Sequence, residues 1–280
     1  MSDPLITSRD NSILKRARAA RDGKAREQIF IEGLRLCEEA VRARNSLEII
    51  DVICTEHFLE TERGVKLLNE LSQIGKRPAL VRDSLFTTIS DTKTPQGIVI
   101  LAVRPSATSA ALLKDRQRAP LLVILCRINN PSNAGAIVRA AEAASATGII
   151  VSEGSTDIYS PKALRGSMGS SFRLPIWTGI TLDEVFAFCR EHGIRTICTD
   201  LTTERLYTEI DWTGPSALLL GPEASGLERD EIARADETAR IPMQAPVESL
   251  NVAVAAGIVL YEAARQRGKS SGRWPVVGSL

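Results

Sequence analysis

The chain has 280 residues, of which 44% are hydrophobic, 25% charged and 4% aromatic, and its formal net charge is +1. These proportions are typical of a globular protein and exclude collagen-like, mucin-like and disordered chains. The longest uncharged apolar run near the C-terminus, Leu250–Tyr261, is shorter than the roughly 18 residues that span a bilayer, and the N-terminal residues lack the pattern of a secretory signal. Five scattered cysteines do not indicate a disulfide framework. We therefore expect a cytoplasmic protein that makes no membrane contact.

The histidines and cysteines give little reason to expect a metal site. Only Cys54 and His57 have a spacing that suits zinc, and no second pair follows. We therefore expect two partly buried residues at these positions and no bound metal.

A basic segment lies near the N-terminus. Between Arg9 and Arg26 there are seven basic and two acidic residues, a local charge of +5. Such a segment can neutralise phosphates, which makes a nucleic acid a natural partner. The alternative is a solvated helix face, and this stretch alone does not decide between them. A weaker basic cluster near the C-terminus contains Arg265, Arg267, Lys269 and Arg273.

Strands and helices alternate along the first hundred residues. The predicted elements are, in chain order, the strand Gln28–Glu32, the helix Gly33–Arg44, the strand Ile49–Cys54, the helix Val65–Ile74, the strand Ala79–Val81, a short helix near Leu85–Ser90 and the strand Gly97–Val103. We assign residues 1–104 to this first α/β domain and 105–119 to a linker, because that stretch is polar with Pro, Ser and Thr clustered at its start.

The second half continues the alternation. Its predicted elements are the strand Leu121–Cys126, the helix Ala134–Ala146, the strand Ile149–Ser152, the helix Leu182–His192, the strands Ile194–Thr199 and Ala217–Leu220, the helix Asp230–Ala235, the strand Thr238–Ile241 and the helix Leu250–Gln266. The continuous apolar run of the first strand is typical of a buried parallel strand. The pattern predicts a mostly parallel sheet covered on both faces. We assign residues 120–268 to this domain and 269–280 to a tail.

Three segments rich in polar residues and glycine each follow a predicted strand of the second domain. Because ligands bind at the carboxyl ends of strands in open α/β sheets, these segments are candidates to converge on one site. In the first, Arg127–Arg139, asparagines and an arginine near a helix start suit recognition of phosphate or ribose oxygens. The alternative is a turn followed by a helix that Asn133 caps. Arg139 follows six residues later, and we expect it near the same end and face.

The second and third segments also permit both a functional and a purely structural interpretation. In Leu218–Leu227, Gly221 lets the backbone approach a ligand and Glu223 projects a carboxylate from a tight loop. The third segment, 241–251, places Ser249 and Asn251 at the start of the last helix. A structural turn would use the same residues in the second segment, and Ser249 as a plain N-cap is the alternative in the third. No dinucleotide or phosphate-loop fingerprint is present in the sequence, which disfavours an oxidoreductase.

The three segments resemble the three motifs of the SpoU (TrmH-like) branch of the SPOUT RNA methyltransferases. The matching stretches are NPSNAGAIVRAA (130–141), LLLGPEASGL (218–227) and IPMQAPVESLNVAVAAGIVLYE (241–262). FIEGLRLCEEA (30–40) and ISDTKTPQGIVILA (89–102) are similar to the L30e-like substrate-binding domain that precedes the catalytic domain in many members. The similarity covers roughly residues 8–266. Two positions depart from the family pattern, Ala245 for a usual glycine and Ala253 for a small hydroxyl residue.

The resemblance implies an enzyme, an RNA (ribose-2′-O-)-methyltransferase that uses S-adenosyl-L-methionine. It implies a small L30e-like α/β domain followed by a SPOUT α/β domain with a C-terminal trefoil knot, and a homodimer. The implied catalytic residues are Asn133, Arg139, Glu223, Ser249 and Asn251. The implied cofactor-binding residues are Leu220, Gly221, Ile241, Met243 and Leu250. RNA contacts are expected from Arg9, Lys15, Arg16, Arg18 and Arg139.

A ribose hydroxyl is a weak nucleophile at neutral pH, so its proton must be removed or its oxygen polarised. Arginine stays protonated in proteins, so we predict that Arg139 binds the hydroxyl or the adjacent phosphate and favours the developing alkoxide, with the phosphate as proton acceptor. Asn133, Ser249 and Asn251 would orient ribose and cofactor, and Glu223 would fix the loop or a substrate group. Alignment of oxygen, methyl and sulfur would supply much of the rate.

We expect 23S-type ribosomal RNA as the substrate, because an L30e-like domain suits folded rRNA elements; this preference rests on analogy. A tRNA 2′-O-methyltransferase is one alternative. A catalytically silent RNA-binding protein of the same fold is another, and retention of the five motif residues argues against it.

Overall fold

The computed structural model describes residues 5–223 and 225–271, and the chain forms two compact units. Unit 1 extends to Pro105 and also includes Asp157–Arg173, whereas unit 2 comprises Ser106–Thr156 and continues from Leu174. The predicted tail at 269–280 begins inside the last helix, and from residue 272 onward, including Arg273, it lies outside the described residues. Ala224 of the second motif also lies outside them.

Unit 1 has a four-stranded mixed sheet. Its elements are α1 (Ser12–Arg21), β1 (Gln28–Glu32), α2 (Leu34–Arg42), β2 (Ile49–Thr55), a 3-10 helix (His57–Glu60), α3 (Glu62–Gln73), β3 (Pro78–Val81), α4 (Asp83–Phe86) and β4 (Ile98–Val103). The strand order is β1-β4-β2-β3, with β4 antiparallel to both of its neighbours and β3 parallel to β2. Helix α1 buries Leu14, Ala17 and Ala20 against this sheet, at the spacing of one helical face.

Unit 2 has a six-stranded, wholly parallel sheet. Its first elements are α5 (Ser109–Leu112), β5 (Leu121–Leu125), α6 (Pro131–Ala143) and β6 (Gly148–Ser152). Two short helices of unit 1 follow, α7 (Pro161–Ser167) and α8 (Ser170–Arg173). Unit 2 resumes with β7 (Ile176–Ile180), α9 (Leu182–Glu191), β8 (Arg195–Thr199), β9 (Ser216–Leu220), α10 (Arg229–Arg234), β10 (Glu237–Ala239) and α11 (Val252–Ser271). The strand order is β10-β8-β9-β5-β6-β7.

The predicted α/β fold class is confirmed, and β5 is the buried parallel strand that its apolar run indicated. The sequence interpretation missed α1 as a packed element, both helices in 161–173, and β7. It also placed a featureless linker at 105–119, where α5 buries Leu112. The trefoil knot stays a prediction. In the part of the chain that the structure describes, no helix is both long and apolar enough to span a bilayer.

Candidate active site

A cavity of about 410 Å³ lies at the carboxyl ends of β8, β9 and β10 in unit 2. Since β8 pairs with both β9 and β10, the loops that follow these strands meet at one edge of the sheet, as expected for a parallel sheet. The lining residues are Asn133, Thr199, Asp200, Leu201, Leu220, Gly221, Pro222, Glu223, Ser225, Gly226, Arg240, Ile241, Met243, Ser249, Leu250, Asn251, Val252 and Ala255. All predicted catalytic and cofactor-binding residues except Arg139 belong to this set.

Glu223 joins the first two motifs through hydrogen bonds. The side-chain amide of Asn133 donates to Glu223 Oε1 at 3.1 Å. The backbone amides of Asn129 and Asn130 donate to its two carboxylate oxygens at 3.4 and 3.3 Å. These amides belong to the turn that starts α6, where unpaired N–H groups favour an anion. The loop after β9 is therefore fixed to the turn after β5.

The same contacts determine the ionisation of Glu223. Partial burial by itself would raise the pKa of this carboxyl. Hydrogen bonds from its own backbone amide, from the Asn133 side chain and from the amides of Asn129 and Asn130 outweigh burial, so the pKa lies below its usual value. Glu223 is therefore an anion at neutral pH, which suits a role in holding structure or ligand groups and disfavours a role as general acid.

Asn133 and Asn251 connect the first and third motifs. Asn251 donates from its side-chain amide to Asn133 Oδ1 at 3.1 Å. Its own Oδ1 accepts from the amides of Ala253 and Val254 at 2.9 and 3.4 Å, so Asn251 caps α11 and the alternative with Ser249 as N-cap is wrong.

The predicted start of α6 and its cap are also wrong. The structure begins α6 at Pro131, where the missing N–H of proline has no cost, and Asn130 caps it by accepting from the Ser132 amide at 2.9 Å. Asn133 thus lies in the first turn, and its side chain is available for Glu223 and Asn251.

Gly221 is required by the tight loop around the cavity. A Cβ at this position would lie 2.6 Å from the Leu227 amide nitrogen and 2.7 Å from the Gly226 carbonyl carbon. Gly226 has φ +66°, a backbone conformation that favours glycine. A side chain at position 221 would therefore collide with the backbone of the same loop.

An ion pair connects the turn before the first motif to α10. Arg127 donates to both carboxylate oxygens of Glu231 at 2.6 and 2.7 Å. The hydrogen bond from Arg127 is the main cause that lowers the pKa of Glu231. Arg127 has φ +50°, and its backbone amide donates to Ser152 Oγ at 3.0 Å. Sequence reasoning did not single out this pair, which joins the turn after β5 to α10.

Arg139 does not line the cavity of its own chain. It is exposed in the second half of α6, and no hydrogen bond or ion pair of its guanidinium occurs within residues 5–223 and 225–271. The expectation that it shares the end and face of Asn133 is wrong because six residues rotate about 240° around an α-helix.

The cavity also contains polar residues that the sequence interpretation did not name. Asp200 follows β8 and accepts hydrogen bonds from the Thr202 amide and hydroxyl at 2.9 and 2.7 Å. Arg240 follows β10, and its buried Nε has no hydrogen-bond partner in the described part of the chain. The rule used for the three motifs, that ligands meet strand ends, would have found Asp200 if it had been applied to the predicted strand Ile194–Thr199. Arg240 was placed inside the predicted strand Thr238–Ile241, whereas β10 ends at Ala239.

The N-terminal basic segment is partly neutralised within unit 1. Lys15 pairs with Asp10 at 3.1 Å and Arg16 with Asp51 at 2.8 Å. Arg18 donates to the Arg9 carbonyl at 2.8 Å, and one of its terminal nitrogens is buried. The segment is thus a helix with one packed face and one charged face.

The described residues contain no cluster of three or more His, Cys, Asp or Glu side chains that could hold a metal ion. The expectation that Cys54 and His57 are both partly buried is wrong. Cys54 is fully buried, which raises the pKa of its thiol to about 12, and the exposed His57 pairs with Glu60.

Comparison with known proteins agrees with this site. Residues 120–261 match the model of the SpoU rRNA methylase family, and residues 11–100 match the MRM3-like substrate-binding domain. A 23S rRNA (guanosine-2′-O-)-methyltransferase from Coxiella burnetii is 32% identical over 74% of this chain and 84% of its own length. The chain therefore belongs to the SpoU methylase family, and the resemblance drawn from the three motifs is confirmed.

Solved structures show the same relationship over nearly the whole chain. An AdoMet-bound rRNA methyltransferase from Sinorhizobium meliloti is 29% identical, with a TM-score of 0.79 over 94% of this chain and 97% of that one. The SpoU methyltransferase AviRb from Streptomyces viridochromogenes, in complex with AdoMet, is 26% identical, with a TM-score of 0.80 over 92% and 100%. The class is thus that of the SPOUT RNA methyltransferases.

Proposed function

We propose that the protein transfers a methyl group from S-adenosyl-L-methionine to a ribose 2′-hydroxyl of RNA, with 23S-type ribosomal RNA as the substrate and the cytoplasm as the location. The observation that carries this proposal is the single cavity at which all three motifs meet, joined by the Asn133–Glu223–Asn251 hydrogen bonds. The relative named above for 23S rRNA supports the choice of RNA.

The residues of the cavity fit S-adenosylmethionine. The apolar part of the cavity wall is formed by Leu220, Ile241, Met243 and Leu250, which suits the adenine ring of the cofactor. The buried Arg240 Nε supplies a donor without a partner among the described residues, which suits the cofactor carboxylate. When bound, the cofactor supplies a methyl group already activated by its positive sulfur.

The residues of this chain then have distinct roles. Asn133 and Asn251 orient the ribose and the cofactor by hydrogen bonds, and Ser249, which lines the cavity, contacts one of them. The Glu223 anion fixes the two loops. The guanidinium of Arg139 binds the 2′-oxygen or the neighbouring phosphate and stabilises the developing negative charge.

The position of Arg139 makes a homodimer part of the proposal. Because Arg139 is outside the cavity of its own chain, a second copy brings it to the cavity. The exposed apolar side chains of Val247, Leu250 and Val254, which are 53%, 36% and 51% accessible, support a contact between copies on this side of unit 2.

The test is single-turnover methylation with ribosomal RNA from cells that lack the gene. Arg139→Ala should slow the reaction by about 10² or more, the scale expected when one donor to a developing anion is removed. Arg190→Ala, which removes an exposed helical arginine of the same unit, is the matched control and should leave the rate unchanged. A near-normal rate for Arg139→Ala would refute its role.

The same protein samples test the alternative of a silent RNA-binding protein. Calorimetric titration with S-adenosylmethionine should show saturable binding at one site per chain. An inert RNA-binding protein of this fold has no need to hold the cofactor, so absence of binding would favour that alternative.

A further inference from the structure

A second cavity, of about 510 Å³, lies within unit 1. We call it the unit 1 cavity. Its walls are formed by the end of α1 and the turn after it, by Gln28 at the start of β1, by Arg104 after β4, and by residues 157 and 159–161 at the start of the segment that includes α7. Its volume lies within the range of small-molecule and nucleotide pockets. The mechanism proposed above does not use it.

One wall of the unit 1 cavity is a guanidinium held in a fixed plane. Arg104 donates to both carboxylate oxygens of Asp157, at 3.0 and 2.5 Å. Its guanidinium carbon lies 4.8 Å from the centroid of the buried Tyr159 ring. The ion pair and the ring contact together preorganise the guanidinium. Planar guanidinium groups of this kind are stacking platforms for unpaired nucleobases.

Two polar groups in the same walls have unused hydrogen-bonding capacity. Gln28 Oε1 and Ser160 Oγ are buried, and neither has a partner within the described residues. Ser160 occupies the N-cap position of α7, yet its hydroxyl makes no capping bond. Unpaired buried polar groups are costly, so a ligand that satisfies them gains affinity. An amide and a hydroxyl together can read the edge of a base, after a change of side-chain rotamer.

The charges around the unit 1 cavity also suit a nucleotide. Its two carboxylates are both compensated, Asp22 by Arg21 at 2.8 Å and Asp157 by Arg104. Arg26 is exposed on the rim, and its guanidinium has no partner among residues 5–223 and 225–271. The rim therefore has a free positive charge for a phosphate, and the interior is nearly neutral.

We propose that the unit 1 cavity binds an unpaired nucleotide of the RNA substrate. The base stacks on the Arg104 guanidinium, its edge bonds to Gln28 and Ser160, and its phosphate faces Arg26. This inference rests on the proposed function, because it takes RNA to be the substrate. It adds a contact in unit 1 that is separate from the methyl-transfer cavity of unit 2.

The test uses the full chain and a fluorescein-labelled single-stranded RNA of ten nucleotides with mixed sequence, measured by anisotropy at fixed salt. Ser160→Ala should weaken binding roughly fivefold, the effect of one hydrogen bond, while thermal stability stays the same or rises because an unsatisfied hydroxyl is removed. Arg104→Gln should weaken binding about tenfold through loss of stacking. The matched control is Arg63→Gln, which removes another ion-paired arginine of unit 1 and should change affinity less than about twofold.

Three results would overturn the inference: no RNA binding by the wild-type chain, wild-type affinity in both cavity variants, or an equal loss of affinity in the Arg63→Gln control. Failure of the proposed function has a different signature. It would appear as absence of methyl transfer by the wild-type protein, irrespective of how the three variants bind the decamer.

Discussion

At the scale of single residues, Glu223 joins the loop of the second motif to the turn of the first. Its carboxylate accepts hydrogen bonds from two backbone amides of the turn before α6 and from the Asn133 side chain. Its folded pKa is lowered, so the stability it contributes is present above its ordinary value of 4.5 and is lost as the pH falls through the lowered folded pKa.

Glu223→Gln should therefore lower the free energy of unfolding at pH 7 by about 1 kcal/mol, a modest value because the carboxylate is exposed. The difference from wild type should shrink below about pH 4, where the wild-type carboxyl also becomes neutral. Urea denaturation at pH 7 and in the acid range measures this difference in the free energy of unfolding, with Glu191→Gln on α9 as the control. A difference that is independent of pH would contradict the role of the anion.

The sequence predicted which motif residues belong to the site, but it did not predict which residues they hydrogen-bond to. The motif match named Asn133, Glu223 and Asn251, and the structure brings them within hydrogen-bond distance. Which asparagine caps α6 depends on where the helix begins, and the Pro131 signal for the first helical position was not used. Arg240 was missed because nothing in its local sequence marks a buried, unpaired nitrogen.

At the scale of elements, a half-buried arginine of α11 contacts four carbonyls elsewhere in unit 2. Arg267 donates to the carbonyls of Ala119, Pro120, Trp212 and Gly214 at 2.6, 3.0, 2.7 and 2.6 Å. Burial lowers the pKa of this group to about 10. The helix that follows the third motif is thus anchored to the residues that precede β5 and β9.

Arg267→Met should lower the free energy of unfolding by about 3 kcal/mol, because it removes the hydrogen bonds from a charged donor to four carbonyls. The carbonyls of Pro120 and Gly214 would keep Ser216 as a donor. Arg265→Met is the control, since that exposed side chain pairs with Glu262 of its own helix and should matter much less. Chemical denaturation followed by circular dichroism compares the two. Equal effects would show that the four carbonyl contacts do not stabilise the fold.

Elements with a clear apolar pattern were the easiest to predict. The apolar run of β5 and the helix α9 were both predicted close to their observed bounds. The segment 161–173 was missed because its helices are short and rich in glycine and serine, so no apolar periodicity of 3.6 develops. Its assignment to unit 1 depends on contacts distant in sequence, which a local pattern does not contain.

At the scale of the whole molecule, the chain combines a basic segment in unit 1 with a cofactor-sized cavity in unit 2. If the basic segment contacts RNA phosphates, replacement of Arg9, Lys15 and Arg16 by Gln should make the negative slope of log affinity against log salt less steep, by about 2. Arg18 is left intact because its guanidinium is partly buried.

Fluorescence anisotropy between 50 and 200 mM salt, roughly the range in which counterion release is large, measures this slope. The control replaces three basic residues of the same unit, Lys66, Lys76 and Arg77. An unchanged slope in the first triple variant, or an equal change in the control, would mean that the N-terminal segment is only a solvated surface.

The most direct test of the central claim follows the methyl group itself. The protein is incubated with S-adenosylmethionine labelled in its methyl group and with ribosomal RNA from cells that lack the gene, and the RNA is then digested with alkali. A methylated 2′-oxygen cannot attack the neighbouring phosphate, so the account predicts label in alkali-resistant dinucleotides. Label in ordinary mononucleotides, as base methylation would give, or no transfer of label to RNA would contradict it.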